Sequence, residues 1–214
     1  MNITKLSFLA LLLAGHASAS LITFTDQAAF LAAIAPGYYQ ETFAFASSSF
    51  PVPLASPQSL SGNGFSYQIS AANGLASNFG FVQAANSPDA LIVSSFGGGI
   101  TALGGNFFYD NGGSVASGTS GTLTASNGID PDAVMNISTV FPEGHFSFFG
   151  FISTSGPLTS VSTFRTTTNS NFPGFAGIDN LIVGTAATPE PGSFALLSLG
   201  LVTLAYFWRR HSAA

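Results

Sequence analysis

Residues 148–164 read F-F-G-F-I-S-T-S-G-P-L-T-S-V-S-T-F, and this stretch decides the fold class. Its first half belongs to a strand expected over Phe146–Ser153, where phenylalanines on both parities break strict alternation. That pattern suits a strand buried on both faces. Its second half belongs to a strand expected over Leu158–Thr166. There Leu158, Ser160, Ser162 and Phe164 share one parity while Val161 takes the other, as on a sheet with one wet face. Ser155-Gly156-Pro157 supplies turn chemistry between them, so the two strands follow one another with no room for a crossover helix.

Outward from this pair the same rhythm recurs. Strands are expected at Leu21–Phe24, Tyr38–Phe45, Gly64–Ser70, Asn78–Gln83, Ala90–Phe96, Ile100–Tyr109, Gly121–Ser126, Val134–Phe141 and Gly177–Gly184. Four Asn-Gly pairs, at 63-64, 73-74, 111-112 and 127-128, tolerate the positive φ angles of type I′ hairpin turns. One short helix is expected after Thr25 as N-cap, with Asp26 in its first turn and Phe30, Ala33 and Ile34 on one face; Pro36-Gly37 ends it. Ala44–Pro57 is rich in Ala, Ser and Pro and reads as a surface crossover, since proline cannot sit in a central strand. Short strands without a βαβ rhythm point to an all-β protein, an antiparallel β-sandwich.

Composition narrows the function classes. Charged residues make up 6% of the 214-residue chain, against roughly 25% in ordinary soluble domains. Between Ser20 and Ala187 the basic side chains are Arg165 and His145, set against eight carboxylates. A nucleic-acid partner requires a positive footprint, so that class is excluded. With no cysteine, disulfide frameworks, thiolate zinc sites and thiol catalysis are excluded as well.

The two ends read as targeting segments. Met1–Ala19 has Lys5, an apolar run over Leu6–Gly15, and small residues Ala17 and Ala19 at the −3 and −1 positions that signal peptidase accepts. Cleavage there leaves Ser20 first; an uncleaved N-terminal anchor is the alternative. At the other end, Thr188–Ala214 reads T-P-E-P-G-S-F-A-L-L-S-L-G-L-V-T-L-A-Y-F-W-R-R-H-S-A-A. The apolar run Ser193–Trp208 is about 24 Å long as a helix. That is a little short of a hydrocarbon core of about 30 Å, and snorkelling arginines extend it. Tyr206 and Trp208 beside Arg209-Arg210 match an interfacial belt and a cytoplasmic end.

The order Pro189-Glu190-Pro191, apolar helix, Arg209-Arg210 resembles the PEP-CTERM sorting signal of bacterial surface proteins. The resemblance implies that exosortase, a membrane-embedded enzyme, recognises the Pro-Glu-Pro element and processes the chain near it, releasing the protein to the cell surface or extracellular matrix. A plain, uncut membrane anchor is the alternative. The opening I-T-F-T-D-Q-A-A-F-L-A-A-I and the closing F-A-G-I-D-N-L-I-V-G-T also resemble exported domains that precede this signal, which implies a jelly-roll-like sandwich. The expected organisation is thus a signal peptide (1–19), an exported β-sandwich (20–187) and a sorting signal with a transmembrane helix (188–214).

Candidates for chemistry are sparse. His145 is the sole histidine of the exported region, and no G-x-S-x-G elbow accompanies it. Glu41 and Glu143 lie in different segments, unlike the paired carboxylates of a glycosidase. A hydrolase is therefore the least favoured reading, and no catalytic residue is assigned. Asn127-Gly128-Ile129-Asp130-Pro131-Asp132 collects hard oxygen donors on one loop, so Asp130 and Asp132 are the candidates for a structural calcium. A solvated turn explains the same loop, and no other cofactor is expected. Tyr38 and Tyr39 are the candidate glycan contacts, because neighbours on a strand point to opposite sides. The main expectation is a non-catalytic surface or exopolysaccharide-associated protein; a lectin-like module for polysaccharide is the alternative.

Overall fold

The computed structural model describes residues 21–46, 51–110, 119–138, 147–167, 174–187 and 200–201. The targeting calls at Ala17, Ala19, Pro189, Glu190, Pro191, Arg209 and Arg210 lie outside these residues, as do His145, Glu143 and, apart from Gly200 and Leu201, the expected transmembrane helix. Among the described residues no helix is long and apolar enough to cross a membrane.

The described chain is all-β apart from one short helix. Its elements are β1 (Leu21–Phe24), α1 (Gln27–Ala32), β2 (Tyr39–Glu41), β3 (Val52–Leu54), β4 (Gln58–Gly62), β5 (Phe65–Ser70), β6 (Leu75–Asn78) and β7 (Phe81–Ala84). They continue with β8 (Ile92–Gly97), β9 (Ala102–Asp110), β10 (Ser120–Ser126), β11 (Ala133–Ser138), β12 (Ser147–Ser153), β13 (Ser160–Thr167) and β14 (Phe175–Gly184). One sheet runs β1-β12-β9-β14-β7-β6-β3, with β2 pairing β14 as well; the other runs β11-β10-β13-β8-β5-β4. All pairings are antiparallel. One apolar cluster takes Leu103, Phe107, Phe149, Phe151, Ile178 and Val183 from the larger sheet. It takes Ile69, Val93, Leu123 and Val161 from the smaller one, so the two sheets close over a shared core.

The strand that set the fold class behaves as its sequence demands. In β12, Phe149 and Phe151 enter the main core, while Ile152 and Phe148 join a second cluster under α1. Phe30 of α1 lies on a floor made by Gly104 and Gly150, where an added Cβ would stand 3.0 Å and 2.6 Å from its ring. Those glycines let the helix settle directly on the outer face of the larger sheet. The N-cap is Asp26 rather than Thr25. Its Oδ1 accepts the Ala29 N–H at 2.7 Å, so the carboxylate caps the turn it was expected to sit inside.

Local differences have identifiable causes. The expected strand Asn78–Gln83 is two strands, because Phe79 and Gly80 both take positive φ and close the β6–β7 hairpin. Asn63-Gly64 forms the expected tight turn between β4 and β5 with positive φ at both residues. Asn73-Gly74 instead carries the chain from one sheet to the other. The Gly74 N–H bonds Ala71 O at 3.2 Å, a four-residue turn that places glycine last. The Ala44–Pro57 segment contains β3, and Pro53 is accommodated because β3 is the end strand of its sheet.

Candidate functional site

Three places hold the residues singled out by sequence. The first is the root of the C-terminal tail. After β14 the chain does not leave the sandwich at once. Ala35 N–H donates to Thr185 O at 2.8 Å, and Ala187 N–H donates to Ala33 O at 3.0 Å. Ile34 and Ala186 form the antiparallel bridge between them. Ala186 N–H also donates to Thr101 Oγ1 at 2.7 Å. Residues read as a spacer are therefore held as a short extra rung. α1 makes this geometry: its C-terminal turn delivers Ala33–Ala35 alongside the departing chain, with Ile34 buried against Ile182 and Phe30.

The motif that follows this rung is linear, and comparison with known families recognises it. Residues 187–210 are a PEP-CTERM protein-sorting motif. No curated protein matches the chain, and no solved structure matches it either. The PEP-CTERM motif implies an exported precursor, anchored in the membrane and processed by exosortase. Its first matched residue, Ala187, donates its N–H to Ala33 O within the rung.

The second place is the loop between β10 and β11. Asn127, 4% exposed, organises it. Its Oδ1 accepts the N–H groups of Ile129 and Asp130, both at 2.9 Å. Its Nδ2 donates to Asp130 Oδ2 at 2.8 Å, Ser155 Oγ at 2.8 Å and the buried Ser153 Oγ at 2.9 Å. Ser155 also donates to Asp130 Oδ2. These bonds, Ser155 first and Asn127 next, hold the Asp130 carboxyl below its ordinary range. Asp130 is thus engaged in tying one loop to the next, while Asp132 is exposed and outside that network. Among the described residues no group of three or more His, Cys, Asp or Glu stands ready to hold a metal ion.

The third place is the Tyr38-Tyr39 edge. Alternation sends the two rings apart, yet each is half-buried. Tyr38 packs into the cluster under α1, and Tyr39 packs on the main core with its ring over Gly62 of β4. Tyr39 Oη donates to Glu41 Oε2 at 2.7 Å, and the Phe43 N–H donates to Glu41 Oε1 at 2.8 Å. The bond to Glu41, then burial, pushes the Tyr39 phenol up to about 12.

The residues brought together most suggestively were not singled out. The outer face of the smaller sheet carries Ser59, Gln68, Ser94, Ser160 and Ser126 in one registered row across β4, β5, β8, β13 and β10. A second row is Ser70, Ile92, Ser162, Thr124 and Val134; a third is Phe164, Thr122 and Asn136. None of these side chains is ionisable. Phe164 is 65% exposed among them. A β-bulge at Ser95, with φ +55°, interrupts the pairing of β5 with β8. Beside it opens a recess of about 290 Å³ lined by Ser59, Ser61, Ser66, Gln68 and Ser95 together with Leu60 and Tyr67. Arg165 is not part of this face, since its guanidinium donates to Ser87 Oγ and to Gly174 O at 3.2 Å. The signal for the face was in the sequence as the shared parity of Ser160, Ser162 and Phe164.

Proposed function

We propose that this chain is an exosortase substrate whose exported, jelly-roll-like sandwich serves as a non-catalytic component of the cell surface or of an exopolysaccharide matrix. The observation that carries the reading is the PEP-CTERM motif at 187–210, whose first residue, Ala187, belongs to the rung on Ala33–Ala35. Signal peptidase removes residues 1–19 after Ala19, and exosortase acts near Pro189-Glu190-Pro191 while the apolar run and Arg209-Arg210 set depth and orientation in the membrane. A non-catalytic role is supported by how the ionisable groups among the described residues are engaged. Asp130 is spent on a loop tie and Glu41 on Tyr39 and a backbone N–H.

Mass spectrometry of the mature C-terminus isolated from cells tests the reading. A chain ending near Pro191 is expected; an intact Arg209-Arg210 terminus would show a plain anchor instead.

A second reading, a module that binds neutral glycans, is favoured by the uncharged outer face of the smaller sheet. Hydroxyls and amides in registered rows match the hydrogen-bonding pattern of a sugar polymer. Phe164 offers the exposed ring on which a sugar face stacks, and the recess at Ser95 is of a size for one sugar unit. Retention of the mature protein on immobilised neutral polysaccharide, lost in Phe164→Ala and Gln68→Ala but kept in Tyr38→Ala, is the expected result. Retention unchanged in both face variants refutes this reading.

A further inference from the structure

The outer face of the smaller sheet carries two features set far apart. The first is Phe164 on β13, its ring 65% exposed. The second is the recess at Ser95. In the pairing of β5 with β8, Ser66 faces Gly97 and Gln68 faces Ser94, so Tyr67 alone stands opposite Ser95 and Phe96. With φ of +55° at Ser95, Phe96 packs against the main core while Ser95 is left exposed beside Ser94. The bulge thus sets a hollow into an otherwise continuous sheet.

Strand registers give the separation. Phe164 lies four residues along β13 from Ser160, the partner of Ser94. The recess lies about one residue past Ser94 in the opposite direction, among β8, β5 and β4. Five residues at about 3.4 Å and two strand steps at about 4.8 Å make a diagonal of roughly 20 Å. Two registered pairs lie under it, Ser162 with Ile92 and then Ser94 with Gln68. Among the described residues the hydroxyls of Ser162 and Ser94 bond no other protein group. Gln68 Nε2 donates to Ser59 Oγ at 3.2 Å, which orients its amide at the recess wall.

Resting on the neutral-glycan reading above, we infer that this face takes a stretch of one extended, uncharged, equatorially linked polysaccharide, laid diagonally from Phe164 to the recess. Equatorial linkage makes such a chain a flat ribbon, with apolar C–H faces and hydroxyls along its rims. One face stacks on Phe164 and passes over Ile92, while the rims bond Ser162, Ser94 and Gln68. Charge selects against acidic chains. No ionisable side chain stands under the diagonal, and Arg165 is bonded to Ser87 and Gly174. An anionic polysaccharide would meet a net negative molecule with no cation on this face to pair with.

Length is the distinguishing property. Each anchor alone offers a sugar little, either one ring to stack on or one open hollow. A chain that reaches both makes the second contact intramolecular, so the two weak contacts combine. A chain shorter than roughly 20 Å, or about four equatorially linked units, reaches one anchor only.

The test is calorimetric titration of the protein isolated from cells with cello-oligosaccharides, from the disaccharide to the hexasaccharide. Retention on immobilised hydroxyethylcellulose and on dextran is measured beside it. Wild-type affinity is expected to rise about tenfold or more between disaccharide and tetrasaccharide and to change little beyond it. Phe164→Ala and Gln68→Ala are each expected to flatten that rise, because each removes one anchor. Phe164→Trp keeps a stacking surface and is expected to keep the rise. A wild-type affinity that does not depend on length, or a rise that survives both alanine variants, overturns the inference. Retention on dextran, whose axial linkages give no flat ribbon, with none on hydroxyethylcellulose overturns it too and leaves the glycan reading standing. Retention on neither polymer sinks both.

Discussion

Replacing Asn127 by alanine is expected to destabilise the sandwich by about 2 kcal/mol. Asn127 is 4% exposed and bonds across the β10–β11 and β12–β13 loops. Its loss leaves Ser153 Oγ, in a residue 1% exposed, without its donor in a place water does not reach. An unsatisfied buried hydroxyl costs about 1–1.5 kcal/mol. The two backbone N–H groups of the turn, at Ile129 and Asp130, are part-buried and within reach of solvent in the loop; losing the side-chain oxygen costs roughly 0.5 kcal/mol each. The bond to the Asp130 carboxylate is left out because solvent replaces it. For a domain of this size 2 kcal/mol lowers the thermal midpoint by about 4–8 °C. The assay is thermal and urea unfolding of the mature protein, with an unchanged dependence on denaturant showing that both states keep their compactness. Asn127→Asp separates the contributions, since it keeps the acceptor for the turn but replaces the donor with a second carboxylate beside Asp130. It is expected to be at least as damaging at neutral pH and to recover partly in acid. Millimolar calcium or a chelator is expected to leave the wild-type midpoint where it is. A midpoint for Asn127→Ala within about 1 °C of wild type refutes the reasoning, and a calcium-dependent rise in wild type shows that Asp130 and Asp132 hold a cation after all.

Asp130→Asn is expected to destabilise at neutral pH, with the gap to wild type closing in acid. The folded carboxyl sits below its ordinary value, so its contribution is full above the usual carboxylate range near 4 and disappears as pH falls through and below it; a gap that widens in acid would contradict this. Tyr67→Phe should stabilise by about 1 kcal/mol, or about 2–4 °C, because Tyr67 Oη is buried without a hydrogen-bond partner. Burial, and after it the neighbouring Glu41 and Tyr39, pushes that phenol far above its ordinary range, and a lower midpoint for the variant would show an overlooked bond. Gly121→Ala should destabilise by about 3 kcal/mol or more, since its Cβ would overlap Tyr109 Oη and stand 2.6 Å from Phe164 O. A wild-type midpoint for that variant would mean that β10 and β13 separate more readily than their packing implies.

What was legible in the sequence follows from which interactions are local. The double burial of β12 could be read because its phenylalanines occupy both parities whatever strand lies beside them. Asn63-Gly64 could be read because the turn is decided by its own two φ angles. The Phe79-Gly80 turn could not. A phenylalanine rarely takes positive φ, and here the chain is held from outside, with the Gly80 N–H on Ala46 O at 2.7 Å. β4 was missed since Gln58–Gly62 has a single large apolar residue, Leu60; it becomes a strand through its pairing with β5. The same division holds for the sites. The sorting motif is a linear address and is legible in the sequence, whereas the grip on Thr185–Ala187 joins residues about 150 positions apart. Parity announced that Phe164 stands with Ser160 and Ser162. Only the arrangement of the strands shows that this side is the bare one.

The sparse charge and the address belong to one physical solution. Soluble proteins usually stay apart through net charge and interspersed ion pairs. Here the exported region has one arginine, and that side chain is bonded to Ser87 and Gly174. Hydration of the smaller sheet's outer face rests on serine, threonine and amide groups, whose effect is short-ranged. Contacts made through that uncharged face are not screened by salt. That arrangement suits a protein released among carbohydrate chains at varying ionic strength, because hydroxyl rows exchange bonds with water and with sugar on nearly equal terms. A single aromatic, Phe164, then tips the balance towards contact where it stands. In the proposed function, release by exosortase delivers the protein among carbohydrate chains, and the neutral face offers many weak, salt-independent contacts that add up.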